Sequence, residues 1–465
     1  MKSFLLLLFI GCSLNLMAQL DYAVVEDIQV LGNNKTKKEV ILRELAFSPG
    51  DSVQLDQLTQ KIERSQSLLM NTNLFSKVTI TYQDWSGVDN HISIKVEVKE
   101  AWYIYPVPSF QLADRNFNVW WVDHNAALSR TNYGMDFTHL NTTGRGDRLK
   151  ASFQLGYTQK YRLRYITRSL NAAQTMGLSV NFAYLQNREV NYATVDNRQV
   201  FYENNETVNY HRFLGDLSIT FRPGLLETHE IRMGYRHNTI NEVIAQELNP
   251  SFFNNGESIQ RFGILEYFYQ YDARDNRGYP MEGNYLSFSL EKDGLGIHQD
   301  RNALTTYLQY QQYLDIFGKF NLGLVSKAKY SFIRTPQPYN DNRAIGFFGN
   351  SLRGYEYYVI DGLDMLLLNT SIKHPILNLE INLGRLMPIS SFRRIPFRLN
   401  VSLNNDFGYV NNPFGKAVNP FNNRLLWGTG VGLDAIFFFD MVFRVEYSRN
   451  HLGESGVFLH FNSSI

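Results

Sequence analysis

From Ala101 to Ile465 the chain is built of short runs in which apolar and polar residues alternate, separated by turn-forming residues. Alternate side chains of a strand point to opposite faces, so such a run makes a ribbon with one apolar and one polar side. Phe397, Arg398, Leu399, Asn400, Val401, Ser402, Leu403 and Asn404 show the pattern without a break. It recurs at Leu286 to Glu291, Ile231 to Arg236, Leu178 to Tyr184, Met441 to Ser448 and Val457 to Asn462. A soluble sandwich also alternates, but its domains run to about 100 residues in the immunoglobulin type, against about 365 residues here. A sheet of this length with an apolar outside and a wet inside is the signature of an outer-membrane barrel.

Composition agrees. The 28 Tyr and 33 Phe suit aromatic girdles at two membrane interfaces. The mean hydropathy of −0.28 is low because half of each strand faces water. After the N-terminus no stretch approaches the ~18–20 consecutive apolar residues of a spanning helix, so a crossing must be made by strands. Strands in hydrocarbon cannot leave an edge unpaired, and the sheet must close. The net charge of +1 gives no basis for binding nucleic acid through bulk charge.

Lys2, the apolar segment Phe4 to Ile10 and Ala18 before Gln19 read as a secretory signal over residues 1–18. Cys12, the only cysteine, sits in a stretch that faintly resembles an acylation box, but a barrel needs no lipid to stay in a membrane. Cleavage after Ala18 leaves no thiol, and therefore neither disulfides nor cysteine-ligated metal.

Residues 20–100 differ from the rest. Val24 to Leu31 forms a first strand, and Thr36 with Glu39 makes a capping box that opens a short helix through Leu45. Pro49, Gly50 and Asp51 break the chain. Leu55, Leu58, Ile62 and Leu69 then mark an amphipathic helix. Phe75 to Tyr82 and Ile92 to Val98 are strands. This order, with Ile28, Val30, Gly32, Asn33, Gly50, Asp51 and the run Asn73 to Val78, resembles a POTRA domain. That is the periplasmic module of the BamA/TamA superfamily of outer-membrane assembly and translocation proteins.

The segment 101–465 fits the same resemblance. About sixteen runs can be counted, an even number as bacterial single-chain barrels require. They begin near Tyr103, Thr131, Asp147, Tyr161, Met176, Tyr210, Glu227, Arg261, Gly283, Ala303, Phe320, Asp364, Pro396, Leu425, Asp440 and Gly456. The four longest gaps, Asn187 to Asn209, Asn238 to Gln260, Pro336 to Gly362 and Gly408 to Arg424, are expected as extracellular loops.

In the third gap, Leu352, Arg353, Gly354 and Tyr355 resemble the superfamily's lumen-folded loop tip. Asp406 and Gly408, in Asn404-Asn405-Asp406-Phe407-Gly408, resemble the strand end whose acid meets that arginine. Asn404 stands where the family usually has an aromatic residue. The resemblance implies an Arg353 to Asp406 pair inside the barrel, where a guanidinium fork gains from partial desolvation. Read without it, these are two solvated loop charges of little consequence. Asp272, Arg274, Asn276, Pro280 and Gly283 resemble a superfamily turn, and Pro280 and Gly283 have a plain local role in a strand connection. Gly456, Phe458 and Phe461 resemble the last-strand signal read by the assembly machinery.

No enzyme signature is found: His-Glu-x-x-His, Gly-x-Ser-x-Gly and a phosphate-cradling loop are all lacking. His211, His229, His237, His298, His374, His451 and His460 are scattered without ligand spacing, so neither catalytic residues nor cofactors nor metals are expected. The expectation is thus mostly β: a POTRA domain followed by a 16-stranded antiparallel transmembrane β-barrel in the bacterial outer membrane, the POTRA domain in the periplasm. The resemblance implies assistance to unfolded outer-membrane clients by strand templating at a seam between the first and last strands, near Tyr103 and Gly456. Lipid surrounds the barrel, and periplasmic or lipoprotein partners add to a POTRA edge, Val24 to Leu31 or Phe75 to Tyr82. The alternative is a passive channel or surface scaffold.

Overall fold

The computed structural model describes residues 22–83, 90–167, 170–171, 173, 175–204, 207–224, 226–298, 300–347, 349–382, 384, 394–415, 419–437 and 441–462. The expected signal sequence, with Cys12 and Ala18, lies outside them, as do Asp440 and the last three residues. The chain divides into two compact units, one of residues up to 104 with 139–147, the other of 105–138 with 148–465.

In the first unit β1 (Tyr22–Leu31) is followed by α1 (Lys38–Leu42), β2 (Ser52–Gln54), α2 (Leu55–Asn71), β3 (Phe75–Gln83) and β4 (His91–Glu100). The sheet order is β2-β1-β4-β3, with β1 and β4 parallel. Ile92, Ile94, Val96 and Val98 point from β4 into a core completed by Val25, Ile28, Leu58 and Leu69. The short β2 was not expected; after the Pro49-Gly50-Asp51 break the chain runs antiparallel to the start of β1. The expected capping box does not form. Lys37 is the N-cap of α1 and makes no side-chain cap. Thr36 instead gives its N–H (2.6 Å) and its hydroxyl (2.7 Å) to the Glu100 carboxylate, an ionised acceptor that outcompetes a helix amide.

The second unit contains one sixteen-stranded antiparallel sheet that curls into a barrel. Its strands begin with β5 (Ile104–Leu112), β6 (Thr131–Leu140), β7 (Arg148–Gly156), β8 (Thr158–Thr167) and β9 (Met176–Asn187). A separate hairpin follows, β10 (Glu189–Val195) with β11 (Arg198–Glu203). The sheet resumes with β12 (Tyr210–Phe221), β13 (Glu227–Ile240), β14 (Ile259–Asp272), β15 (Gly283–Asp293), β16 (Ala303–Ile316) and β17 (Phe320–Ser331). A two-stranded ladder, β18 (Arg343–Ile345) with β19 (Ile360–Asp361), then interrupts it. The last strands are β20 (Asp364–Asn382), β21 (Arg394–Asn411), β22 (Leu425–Ile436), β23 (Val442–Asn450) and β24 (Ser455–Asn462).

The alternating runs therefore become the sixteen strands that were expected, the widest departure among described starts being Thr158 where Tyr161 was expected. On β22, Leu425, Trp427, Val431 and Leu433 are exposed on the outside, while Leu426, Gly428, Gly430 and Asp434 are buried on the inside. Because strands alternate in direction, the four gaps expected as extracellular loops all open at one end of the barrel. No described helix is long and apolar enough to cross a membrane.

Candidate functional site

The connection between β17 and β20 turns inward, and the β18–β19 ladder closes its base. Leu352 and Tyr355, both buried, pack with Ile345, Met365, Leu367, Val410 and Leu426 in an apolar cluster inside the barrel. Gly354 has φ +77°, and a Cβ there would stand 2.7 Å from the Asn450 nitrogen, so the loop lies directly against β23. Gly408 makes room on the same wall: its Cβ would come within 2.8 Å of Ile345 Cδ1. Tyr355 also hydrogen-bonds His451 through its hydroxyl.

This packing fixes Arg353. Its Nη1 lies 2.6 Å from Asp406 Oδ1, and its backbone N–H donates to Asp406 Oδ2 at 3.1 Å. The structure thus brings together the two residues that the loop motif implied. It also adds a third: Arg353 Nε donates to Glu446 Oε2 on β23 at 3.0 Å. One guanidinium therefore ties the loop to two strands that are separated by β22. Asn404, the departure from the family pattern, has a role here, since its Nδ2 donates to Glu446 Oε2 at 3.0 Å. Asp406 is 1% and Glu446 0% exposed, so each depends on the arginine to offset its desolvation.

The turn motif forms a separate cluster. Arg274 grips Asp272 with Nε (2.8 Å) and Nη2 (3.0 Å), a bidentate pair at the rim. Asn276 Oδ1 accepts from the Gly278 and Tyr279 amides, and Asp275 Oδ1 from those of Met281 and Glu282. Gly283 has φ +92° with the Ala273 carbonyl only 2.2 Å from where a Cβ would stand. This connection, with Pro280 in it, carries Tyr279 inward. Its hydroxyl donates to Asp434 Oδ2 at 2.6 Å, and Arg444 holds the same carboxylate at 2.5 and 2.8 Å. Lys373 Nζ sits 4.0 Å from the centre of the Tyr279 ring.

The sheet ends at β5 and β24, and no backbone ladder joins them among the described residues. Ala113 N–H donates to the Arg130 carbonyl just ahead of β6, and the Tyr103 carbonyl accepts from Leu140 on β6, so the odd residues of β5 face β6. Pro106 and Pro108 then face the opposite edge, the one turned toward the seam. Proline has no N–H, and a strand tolerates it only where no ladder is needed. On the other side of the seam, Asn118 accepts from the Leu459 N–H (2.9 Å) through Oδ1 and donates to the Val457 carbonyl (2.8 Å) through Nδ2. A side-chain amide thus fills the place of a neighbouring strand's peptide group. Of the expected last-strand residues, Phe461 is 69% exposed on the outside, while Phe458 turns inward against Tyr357, their ring centres 5.7 Å apart. Their separation by three positions forces them onto opposite faces. Gly456, the second residue of the same strand, lies beside the Phe458 ring.

Comparison with known families places these features. The POTRA family, described as Surface antigen variable number repeat, matches residues 23–101. The Omp85 superfamily domain matches residues 141–436, more than half of the chain. The chain belongs to the Omp85 superfamily. Among solved structures it resembles BamA from Haemophilus ducreyi lacking POTRA domains 1–3, at 14% identity and a TM-score of 0.62, over 94% of this chain and 83% of that one. It also resembles CdiB from Escherichia coli, at 10% identity and a TM-score of 0.58, over 95% of this chain and 76% of that one. CdiB from Acinetobacter baumannii is similar at 15% identity and a TM-score of 0.51, over 95% and 74%. No curated protein matches the sequence.

Three residues of this Omp85 barrel escaped sequence reasoning. Glu446 lies on the polar face of the run Met441 to Ser448, but nothing local says that this face meets Arg353. Tyr279 and Asn118 carry no local signal of the partners they meet in the fold. The prolines of β5 were a usable signal, because two of them two positions apart disable one edge of a strand.

Proposed function

We propose that this protein assists other proteins to insert into or cross the bacterial outer membrane, by presenting a strand edge at the seam of its barrel. The seam carries the reading. The two prolines remove two donors from the middle of the β5 edge, so β5 cannot zip fully onto β24. The β24 edge offers one donor and one acceptor that are held only by the Asn118 amide. A client strand arriving there exchanges one set of hydrogen bonds for another and reaches lipid with its backbone paired. The clients are unfolded outer-membrane proteins, and the proposal assigns no chemical reaction to the barrel.

In this reading unit 22–104 stands in the periplasm and the four long connections lie outside the cell. Partner chains, lipoproteins among them, add to β3, the sheet's long open edge. The other expected edge, Val24 to Leu31, serves less well because β2 covers its start. A passive channel is the weaker alternative, since the apolar cluster of the inward loop occupies the lumen that a solute would cross.

Two experiments test this. Depletion of the protein lowers the levels of other barrels in the envelope; altered permeability with unchanged barrel levels selects the channel instead. Cysteines at Asn118 and Leu459, joined by oxidation, lock the seam and abolish the activity that depletion reveals. Full activity of the locked form removes seam opening from the mechanism.

A further inference from the structure

Beside the Arg353 fork lies a set of donor atoms that the fork does not use. Glu356 on the inward loop, Glu446 on β23 and His460 on β24 each offer one atom, all within 4.8 Å of one another. The Glu356 side chain is 3% exposed, and its Oε2 has no hydrogen-bond partner among the described residues. Glu446 Oε1 is buried and also makes no hydrogen bond: it lies 2.9 Å from Arg353 Nε but off the N–H direction. The Arg353 guanidinium is already shared by Asp406 and Glu446. Among the described residues the one ion-pair contact of Glu356 is with the His460 imidazole, 4.0 Å away, and Arg115 lines the same cavity. A buried carboxyl so placed either holds a proton or takes a positive partner, and a cation that binds there displaces the proton.

We propose that Glu356, Glu446 and His460 bind one divalent transition-metal cation of the zinc type. One imidazole nitrogen with two carboxylate oxygens is a borderline donor set that suits zinc, whereas calcium and magnesium prefer oxygen alone. Zinc bonds of about 2.0–2.2 Å put ligand atoms roughly 3.3–3.6 Å apart, so shifts of about 1 Å close the set around an ion. Glu356 and His460 also line a cavity of about 140 Å³, with room for water at the remaining positions. Sequence spacing cannot show this site, because its ligands stand at positions 356, 446 and 460 and only the fold gathers them. The ion ties the inward loop to the strand at the seam. This inference does not rest on the proposed function.

Untagged full-length protein in detergent, stripped with EDTA and titrated with zinc chloride by calorimetry, takes up one ion per chain. His460→Ala and Glu356→Gln each weaken binding by at least about ten-fold, the loss that even an outer-shell partner causes. Heat-modifiable gel migration establishes that the variants are folded. Calcium in excess does not displace zinc. Cobalt bound to the wild-type protein gives visible d–d absorption that zinc removes, a reading that needs no variant. Absence of saturable zinc uptake and of the cobalt bands overturns the proposal and leaves a simple contact between His460 and Glu356. Binding that both variants retain unchanged overturns it equally.

Discussion

Strands β4 and β22 carry the same alternating pattern and bury opposite halves of it. On β4, Ile92, Ile94, Val96 and Val98 are the inside of an apolar core, and the polar residues between them meet water. On β22, Leu425, Trp427, Val431 and Leu433 are outside and exposed, and Asp434 is 0% exposed in the lumen. Alternation fixes that a strand has two faces, and the partner of each face decides which is buried. In the first unit a helix covers the apolar face. In the second the sheet covers its own polar face by closing on itself, which leaves the apolar face for lipid. Polar groups confined in this way must be paired, and Arg353, Asp406, Glu446, Asp434 and Arg444 are paired.

The sharpest way to break this comparison is to remove an ion-pair residue from each unit. Arg353→Ala leaves two buried carboxylates and costs about 3–5 kcal/mol, read as a large drop in the temperature at which the barrel loses its folded gel mobility. Arg43→Ala, which breaks an exposed pair with Glu44 in the first unit, costs less than about 1 kcal/mol. Exchanging the charges, Arg353→Glu with Asp406→Arg, restores only part of the loss, because the new acid then faces Glu446. Neutralising all three, Arg353→Met with Asp406→Asn and Glu446→Gln, restores more. Equal stability of Arg353→Ala and wild type would mean that the lumen is wet enough to solvate both acids.

A smaller effect separates the outer faces. Val431→Lys puts a charge on the outside of β22 and costs about 2–4 kcal/mol where that position lies near the bilayer midplane. Tyr82→Lys, equally exposed on β3, stays within about 0.5 kcal/mol. Folding in lipid vesicles with urea titration measures both. If the two substitutions cost the same, the outer face of β22 does not meet hydrocarbon.

Legibility in the sequence followed the range of the interactions. Strand positions were readable because alternation is local, as Gly283, Ala303 and Leu425 show by opening strands where they were expected to. The β10–β11 hairpin was lost inside a gap rich in turn residues. Its Asp196-Asn197 turn, with φ of +52° and +56°, is a type I′ signal that could have revealed it. Thr36 misled because a capping box is a local rule and Glu100, sixty-four residues away, overrode it. At the lumen site the motif named Asp406 but not Glu446, which reaches Arg353 only because β22 pairs β21 with β23.

The smallest expected effect lies in the first unit. Burial alone would raise the Glu100 carboxyl, but hydrogen bonds from Thr36 and Lys35 outweigh it and hold the group below its ordinary value of 4.5. A carboxyl lowered on folding stabilises the folded state above its unfolded pKa, and that contribution fades as pH falls through the folded value. The link between Glu100 and the 35–36 turn therefore weakens only below about pH 4.5. Hydrogen exchange at the Lys35 and Thr36 amides in the full chain, corrected for its intrinsic pH dependence, reads this directly. Protection persists near neutrality and falls in acid for the wild type, and is low at every pH in Glu100→Gln, whose neutral amide is the weaker acceptor. Protection that survives the substitution would mean that backbone packing, and not the carboxylate, holds this turn. Thr36 would then be free to cap α1, and the failure of the capping box would need another cause.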